Sequence, residues 1–141
     1  LTGWQAGATQ EGSIQRLRYT GKTGIYLTEA KARKNRLQLT FTEPVKPDSV
    51  TRESFSASAW NYKWSKGYGS PQLKASEPEI RGIDELAIDS LELSDDGLTL
   101  TVQIPELIPC HNLKLDFAVT GKNGSALSGP VYFTIHELPE S

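Results

Sequence analysis

The sequence predicts an all-β fold, an antiparallel β-sandwich of about seven short strands. Leu37, Leu39 and Phe41 alternate with polar residues, which is the period of a strand buried on one face. Pro44 and Pro47 then end this strand, because proline has no N–H to donate to a sheet ladder. Several further short alternating segments follow, and no long stretch has the period of an amphipathic helix.

The first half of the chain is expected to contain four strands. We predict strands over residues 14–19 and 25–27, a turn or single helical turn over 29–35, and the strand that ends at residue 42. A 3₁₀ turn over 47–50 should precede a strand from 55 to about 64.

The second half begins with one long loop over about residues 66–85, which Gly and Pro residues interrupt repeatedly. A loop of this length in a compact domain is uncommon, and is either functional or covers a sheet face. Residues 86–93 and 98–104 should form a hairpin. Strands over 113–119 and 131–135 should close the fold, with a turn at Asn123-Gly124, a strong hairpin signal.

Composition bounds both size and function. The 141 residues suit one domain, and a net charge of −2 gives no attraction to nucleic acid. No apolar run approaches the ~20 residues that span a bilayer. Cys110 is the only cysteine, which excludes an internal disulfide or a cysteine cluster for a metal. Neither nucleic acid nor a membrane span is therefore expected.

The chain begins at Leu1 rather than at a methionine, and we expect it to be a domain of a longer polypeptide. Residues 1–12 are rich in Gly, Thr and Ala and are interpreted as a linker, although Trp4 should pack against something. Residues 13–138 should form the domain, and 139–141 a tail.

Two segments resemble a known family. LTFTEPVKPDSV at residues 39–50 and LSDDGLTLTV at 93–102 resemble bacterial Ig-like domains of the surface-layer (SbsA) type. The strings at 18–22, 60–62, 68–70 and 134–136 resemble a domain of unknown function in large secreted proteins of planctomycetes and related bacteria. Those proteins also carry sugar-dehydrogenase-like or cytochrome c modules.

The resemblance covers roughly residues 13–138 and implies an Ig-like β-sandwich within a secreted, periplasmic or cell-envelope multidomain protein. The catalytic and haem residues of such proteins lie in other domains, so none carries over to this chain. The sequence also lacks the Cys-x-x-Cys-His of haem attachment. No cofactor is expected.

An aromatic row is the main candidate binding site. It consists of Trp60, Tyr62, Trp64 and Tyr68. Side chains alternate along a strand, so the first three should lie opposite the face that carries Phe55, Ala57 and Ala59. In one interpretation the row is an exposed platform for sugar rings or another domain. In the other, a bulge near Ala59-Trp60 changes the alternation, or the 66–85 loop covers the row as a second small core.

Other candidate sites are weaker. Cys110 and His111 are adjacent, so they should point to opposite faces and not share a metal with His136. A blue-copper site also usually has a methionine ligand, and the chain has no methionine. Cys110 is interpreted as a buried apolar residue. We expect no metal site and no catalytic residues.

Charged residues and a sequon have structural interpretations. The acidic series lacks the calcium-loop spacing; it comprises Asp84, Glu85, Asp89, Glu92, Asp95 and Asp96. The basic cluster of Lys31, Arg33, Lys34 and Arg36 is interpreted as a solvated sheet edge. Asn123-Gly124-Ser125 matches a glycosylation sequon, but the turn explains it.

The sequence therefore indicates a non-enzymatic accessory or structural module that docks or orients neighbouring domains of its parent polypeptide. The alternative is a carbohydrate-binding module that uses the aromatic row. A third hypothesis, an electron-transfer metal domain, is weaker.

Overall fold

The computed structural model describes residues 16–21 and 23–139. Within them, ten β-strands form two antiparallel sheets packed face to face, which confirms the predicted all-β sandwich. The strands are β1 (Leu27–Arg33), β2 (Arg36–Phe41), β3 (Phe55–Asn61), β4 (Leu73–Lys74), β5 (Asp84–Leu86), β6 (Leu91–Leu93), β7 (Thr99–Gln103), β8 (Cys110–Thr120), β9 (Ala126–Ser128) and β10 (Val131–Ile135). Single 3₁₀ turns at Pro47–Ser49 and Arg52–Ser54 precede β3. In the described part of the chain, no helix is long and apolar enough to cross a membrane.

The two sheets differ in size and connection. The four-stranded sheet has the order β1-β2-β7-β6. The six-stranded sheet has the order β10-β8-β3-β4, with β5 also paired to β3 and β9 to β8. The chain crosses from one sheet to the other between β5 and β6, so the predicted single strand over 86–93 is wrong. The predicted pairing of its second half with the following strand is confirmed as β6 with β7.

Alternate residues of the long strands form the core. Leu37 and Leu39 are fully buried, and Phe41 is 3% exposed, as the alternation predicts. Their counterparts in the facing sheet are the alternate residues of β3 and β8. They are Phe55, Ala57, Ala59, Leu113, Leu115, Phe117 and Val119, all buried. A fully buried leucine contributes roughly 2 kcal/mol through the apolar surface it removes from water.

Three phenylalanines join the two layers. The ring of Phe117 lies 6.4 Å from that of Phe41 in the opposite sheet and 6.4 Å from that of Phe55 in the neighbouring strand. Ring pairs at such distances stabilise a core by more than the burial of their apolar area alone. Phe117 therefore links both sheets through one side chain.

The predictions for the first strands are wrong. Residues 16–20 form no strand, and Leu17 and Tyr19 are 96% and 92% exposed; residues 14 and 15 lie outside the described part. Strand β1 extends to Arg33, where a turn or helical turn was predicted. Ala30 and Ala32 pack against the core and alternate with the charged residues Glu29, Lys31 and Arg33. Pairing with β2 overrides the weak strand propensity of these residues.

The boundaries around the long loop also differ from the prediction. Strand β3 ends at Asn61 rather than near residue 64, and the predicted 66–85 loop contains β4 and the first two residues of β5. Leu73 anchors this region because it is buried and pairs with Asn61. The segment without strand structure after β3 is therefore residues 62–72.

The described end of the chain contacts the first sheet. The predicted linker at residues 1–12, Trp4, and positions 140 and 141 of the predicted tail lie outside the described residues. Pro139 is described, and its carbonyl accepts a hydrogen bond from the N–H of Lys34 at 3.0 Å. That contact joins the end of the chain to the turn between β1 and β2. The predicted edge position of the basic cluster is confirmed for Lys31 and Arg33, since β1 is the outer strand of its sheet. Lys34 lies in the turn after β1, and Arg36 begins the inner strand β2.

Strands β9 and β10 follow one another along β8 in one register. Ser128 pairs with Ala118 and Val131 pairs with Leu115. Both strands advance three residues between these pairs, so the register does not shift at Gly129. The Gly129 N–H donates to the Phe117 carbonyl at 2.9 Å, which continues the ladder between them. A Cβ at position 129 would lie 2.7 Å from Cδ1 of Phe117, so only glycine fits here.

We predict that Gly129→Ala lowers the free energy of unfolding by about 2 kcal/mol, because the new methyl group must displace the Phe117 ring from its core contacts. Chemical denaturation followed by circular dichroism measures the change. Gly67→Ala is the matched control, since a Cβ there meets only Ser65 Oγ at 3.8 Å. Equal stability of the two variants would contradict this account of Gly129.

Candidate functional site: the end of strand β3 and the loop that follows it

The aromatic row is exposed rather than covered. Tyr62, Trp64 and Tyr68 are 52%, 86% and 110% exposed, and Trp60 is half-buried. The interpretation in which the 66–85 loop covers the row is therefore wrong for Tyr62, Trp64 and Tyr68. We call these four residues the aromatic surface.

The alternation along β3 is regular. Phe55, Ala57 and Ala59 are buried, and Trp60 lies on the opposite face, as predicted. Trp60 pairs with Asn112 of β8 on one side and with Lys74 of β4 on the other. The bulge suggested near Ala59-Trp60 is absent from the β3 pairings that the structure describes.

A bulge is present instead in the neighbouring strand β8. Phe133 of β10 pairs with Leu113, whereas Ile135 pairs with Cys110, so one extra residue of β8 is inserted between the two pairs. The inserted residue reverses the alternation, since Leu113 and Cys110 are both buried although their positions differ by three. The bulge thereby leaves His111 half-buried and turned towards the end of β3.

Asn61, Tyr62 and His111 form a reciprocal cluster. The backbone N–H of His111 donates to Oδ1 of Asn61 at 2.8 Å, and the backbone N–H of Tyr62 donates to Nδ1 of the His111 ring at 3.2 Å. The rings of Tyr62 and His111 lie 4.4 Å apart with a tilt of 48°. The cluster fixes the backbone at the point where the aromatic surface leaves the sheet.

The loop beyond this cluster is closed by one serine. The Lys63 N–H donates to Ser70 Oγ at 3.0 Å, and Ser70 Oγ donates to the Pro71 carbonyl at 3.0 Å. Gly69, at a φ of +84°, makes the turn that brings the serine back. Trp64 and Tyr68 both lie within the segment enclosed by this closure.

The charges nearest to the aromatic surface are paired. Lys63 Nζ lies 3.7 Å from a carboxylate oxygen of Glu79, and Lys74 Nζ lies 3.3 Å from one of Glu77. On the same sheet face, Lys114 donates to Asp116 at 2.7 Å. This hydrogen bond is the main cause that raises the pKa of Lys114, so the ammonium stays charged. Lys66, which lies between Trp64 and Tyr68 in the sequence, is the exception, since it makes no ion pair with a described residue.

Cys110 and the histidines do not form a reactive group. Cys110 is buried, as predicted, and burial raises the pKa of its thiol to about 11, so the sulfur is protonated at neutral pH. His136 is exposed at the end of β10, and His111 is held by Asn61 and Tyr62. Among residues 16–21 and 23–139, no group of three His, Cys, Asp or Glu side chains is placed to hold a metal ion.

Two members of the acidic series serve local structure. Asp84 accepts the N–H of Ser76 at 2.8 Å and its hydroxyl at 2.7 Å. Partial burial works to raise the pKa of Asp84, but the hydrogen bonds from Ser76 outweigh it, and the net change is downward. Asp96 accepts the hydroxyl of Ser94 at 2.6 Å, the main cause of its lowered pKa, and the N–H of Leu98 at 2.9 Å.

One depression of about 430 Å³ lies beside β5. It is lined by Ser76, Asp84, Glu85, Leu86, Glu106 and Ile108. The carboxylate of Asp84 is directed to Ser76 rather than into an empty space. Glu85 and Glu106 supply the other carboxylates of the lining, and both residues are exposed.

The sequon belongs to a turn, as interpreted from the sequence. Asn123 Oδ1 accepts the N–H of Ser125 at 2.9 Å and also its hydroxyl. Ser125 Oγ in turn accepts the N–H of Ile25 at 2.9 Å. These contacts hold the β8–β9 hairpin against the chain that enters β1.

Sequence reasoning missed Asn61 and His111 as neighbours of the aromatic surface. They are fifty positions apart, and their contact depends on the register between β3 and β8 and on the bulge in β8. A single polar pair at that separation gives no pattern in the sequence. Only the flanking aromatic residues mark this region.

We predict that His111→Ala speeds amide hydrogen exchange at Tyr62 about tenfold, because that N–H loses its acceptor and the ring loses its neighbour. Exchange followed by NMR measures this change. His136→Ala is the matched control, since that side chain is exposed and lies outside the cluster. Unchanged exchange at Tyr62 in His111→Ala would show that the cluster does not hold the strand end.

Comparison with known proteins supports the fold alone. No protein-family model and no curated protein matches this chain. One solved structure that matches is the S-layer protein rSbsC(31-844), with 18% identity and a TM-score of 0.54. Another is domains 1-6 of the surface layer protein SbsC, with 16% identity and a TM-score of 0.50. Each alignment covers 79% of this chain and 14% of the other, so the chain spans about one seventh of those proteins. CopC from Methylosinus trichosporium OB3b aligns over 80% of this chain and 96% of its own, with 18% identity and a TM-score of 0.45, too low to carry an argument.

Proposed function

We propose that this chain is a non-catalytic structural module of a larger secreted or cell-envelope protein, in which it docks and orients neighbouring domains. The observation that carries the proposal is the exposure of Tyr62, Trp64 and Tyr68 next to a rigid sheet end. Exposed aromatic patches mark interaction sites, and tyrosine and tryptophan dominate the energy of protein interfaces.

The surroundings of the aromatic surface favour a protein partner. Lys63 and Lys74 are paired with glutamates, which lowers the cost of burying them, and Lys66 would meet an acidic group of the neighbouring domain. Contacts between domains of one polypeptide are typically small and partly polar, which suits four rings and a polar border. The fold shared with segments of an S-layer protein is compatible with a module in a multidomain chain.

The test joins this chain to the segments that flank it in its gene and replaces both Trp64 and Tyr68 by alanine. We expect the aromatic loop to be protected from hydrogen exchange in the intact larger protein and exposed in the isolated chain. The double variant should lose that protection and weaken the coupling between domains by about 2 kcal/mol, as the loss of interface hot spots does.

Tyr26→Ala is the control for this test, because Tyr26 is 60% exposed but lies outside the aromatic surface. Thermal unfolding and small-angle scattering report domain coupling and orientation. If residues 62–72 exchange equally in the isolated chain and in the larger protein, the docking function is excluded.

Carbohydrate binding is the second candidate, because one specific observation favours it. Trp60 lies half-buried on the open sheet face beside Asn112, and Trp64 is almost fully exposed nearby in sequence. A flat ring with an amide beside it can stack on a sugar ring while the amide binds a hydroxyl group.

For this candidate, we expect neutral oligosaccharides to shift tryptophan emission and the amide resonances of residues 60–68. Trp64→Ala should reduce the affinity at least tenfold, whereas Tyr26→Ala should not change it. A panel of neutral glycans that leaves both signals unchanged would reject carbohydrate binding. Binding that survives in Trp64→Ala would locate the sugar elsewhere.

A further inference from the structure

The outer edge of β10 is the feature that the proposed function leaves unexplained. β10 pairs with β8 on one side, and among residues 16–21 and 23–139 no strand pairs with it on the other. A sheet edge of this kind presents unpaired N–H and C=O groups that can pair with another strand.

The hydrogen-bond pattern shows which groups point outward. Gly129 donates its N–H to β8, and in an antiparallel pair the direction alternates at each residue. Val131 and Phe133 therefore direct their N–H groups to β8, whereas Tyr132 and Thr134 direct theirs to the outer edge. Pro130 belongs to the outward set and has no N–H, so the open edge begins after it.

The remaining edges carry features that prevent pairing. β1 contains three charged residues and a register shift between Leu27 and Glu29. β6 has three residues with a glutamate at its centre, β4 has two residues, and β5 has three, of which two are acidic. β9, on the same side of β8 as β10, is uncharged but has only three residues. β10 has five residues and no charge. Short length, charge and bulges are the devices that protect edges, and β10 lacks the first two.

We propose that β10 pairs in antiparallel fashion with β10 of a second copy of this chain, which joins the two six-stranded sheets across a two-fold axis. The strand suits itself as a partner. Centred on Phe133, this pairing sets Tyr132 opposite Thr134 of the second copy, and makes four hydrogen bonds through their outward groups. The uncharged strand brings no like charges together, and each tyrosine meets a β-branched residue.

The contact area limits the strength of this dimer. Five residues from each copy bury much less than the roughly 1,600 Å² of a standard stable interface. The dissociation constant is therefore on the order of 0.1–1 mM, and the dimer forms at high local concentration. This pairing uses a different surface from the aromatic surface and does not depend on the proposed docking function.

The test is sedimentation equilibrium of the full chain up to about 1 mM, together with amide exchange at Tyr132 and Thr134. Wild type should become dimeric as the concentration rises, and these two amides should become protected at the same concentrations. Thr134→Pro removes an outward N–H and spares the ladder to β8, so it should remain monomeric. Thr134→Val retains the N–H and similar shape, and should dimerise like wild type.

The remaining outcomes are also decisive. If Thr134→Pro fails to fold by thermal unfolding, Thr134→Lys replaces it, and should weaken the dimer at least tenfold by placing a charge on the edge. A chain that stays monomeric at the highest concentration overturns the proposal. So does a dimer that persists in the folded proline or lysine variant, or one that is lost when Trp64 and Tyr68 are both replaced by alanine.

Discussion

The structure depends on strand β8, which pairs with neighbours along both of its edges. Its eleven residues pair with β3 on one side, and with β10 and then β9 on the other. The backbone of β8 holds the six-stranded sheet together through strand pairing, and its alternate side chains fill the core. The same residues therefore provide both the pairing and the packing. Phe117 shows both, since its carbonyl accepts from Gly129 and its ring contacts Phe41 in the other sheet.

The bulge in β8 allows this strand to contact the base of the aromatic surface. Without the extra residue, regular alternation from Leu113 would direct His111 into the core, where an imidazole would need a buried partner. The bulge places Cys110 in the core instead, and an uncharged thiol suits that environment. His111 is then able to accept from Tyr62 and donate to Asn61, so one local irregularity sets both the core residue and the strand end.

The sequence predicted the parts of the fold in which burial and alternation agree. Leu37 and Leu39 repeat with a period of two and are buried on one face, and Asn123-Gly124 forms the expected turn. β1 was missed because Ala30 and Ala32 are small and the charged residues that alternate with them have high helix propensity. Residue 86 and residues 91–93 belong to different sheets. Tertiary packing decides this, and the continuous apolar pattern of the sequence does not indicate where the chain crosses. The aromatic surface was identified from its residues, but its exposure depends on where residues 62–72 run, and its contact with His111 depends on register.

The bulge also lies between the two surfaces for which we propose partners. On one side of β8 it faces Asn61 and Tyr62, at the base of the aromatic surface, and on the other it lies between the pairs that β10 makes through Phe133 and Ile135. Irregular pairing at a bulge leaves a strand easier to shift than a regular ladder does. A partner strand on the outer edge of β10 would restrict that shift, and the restriction would reach His111 through β8 alone. The two surfaces are thus separate in their contacts, and both adjoin the irregular part of β8.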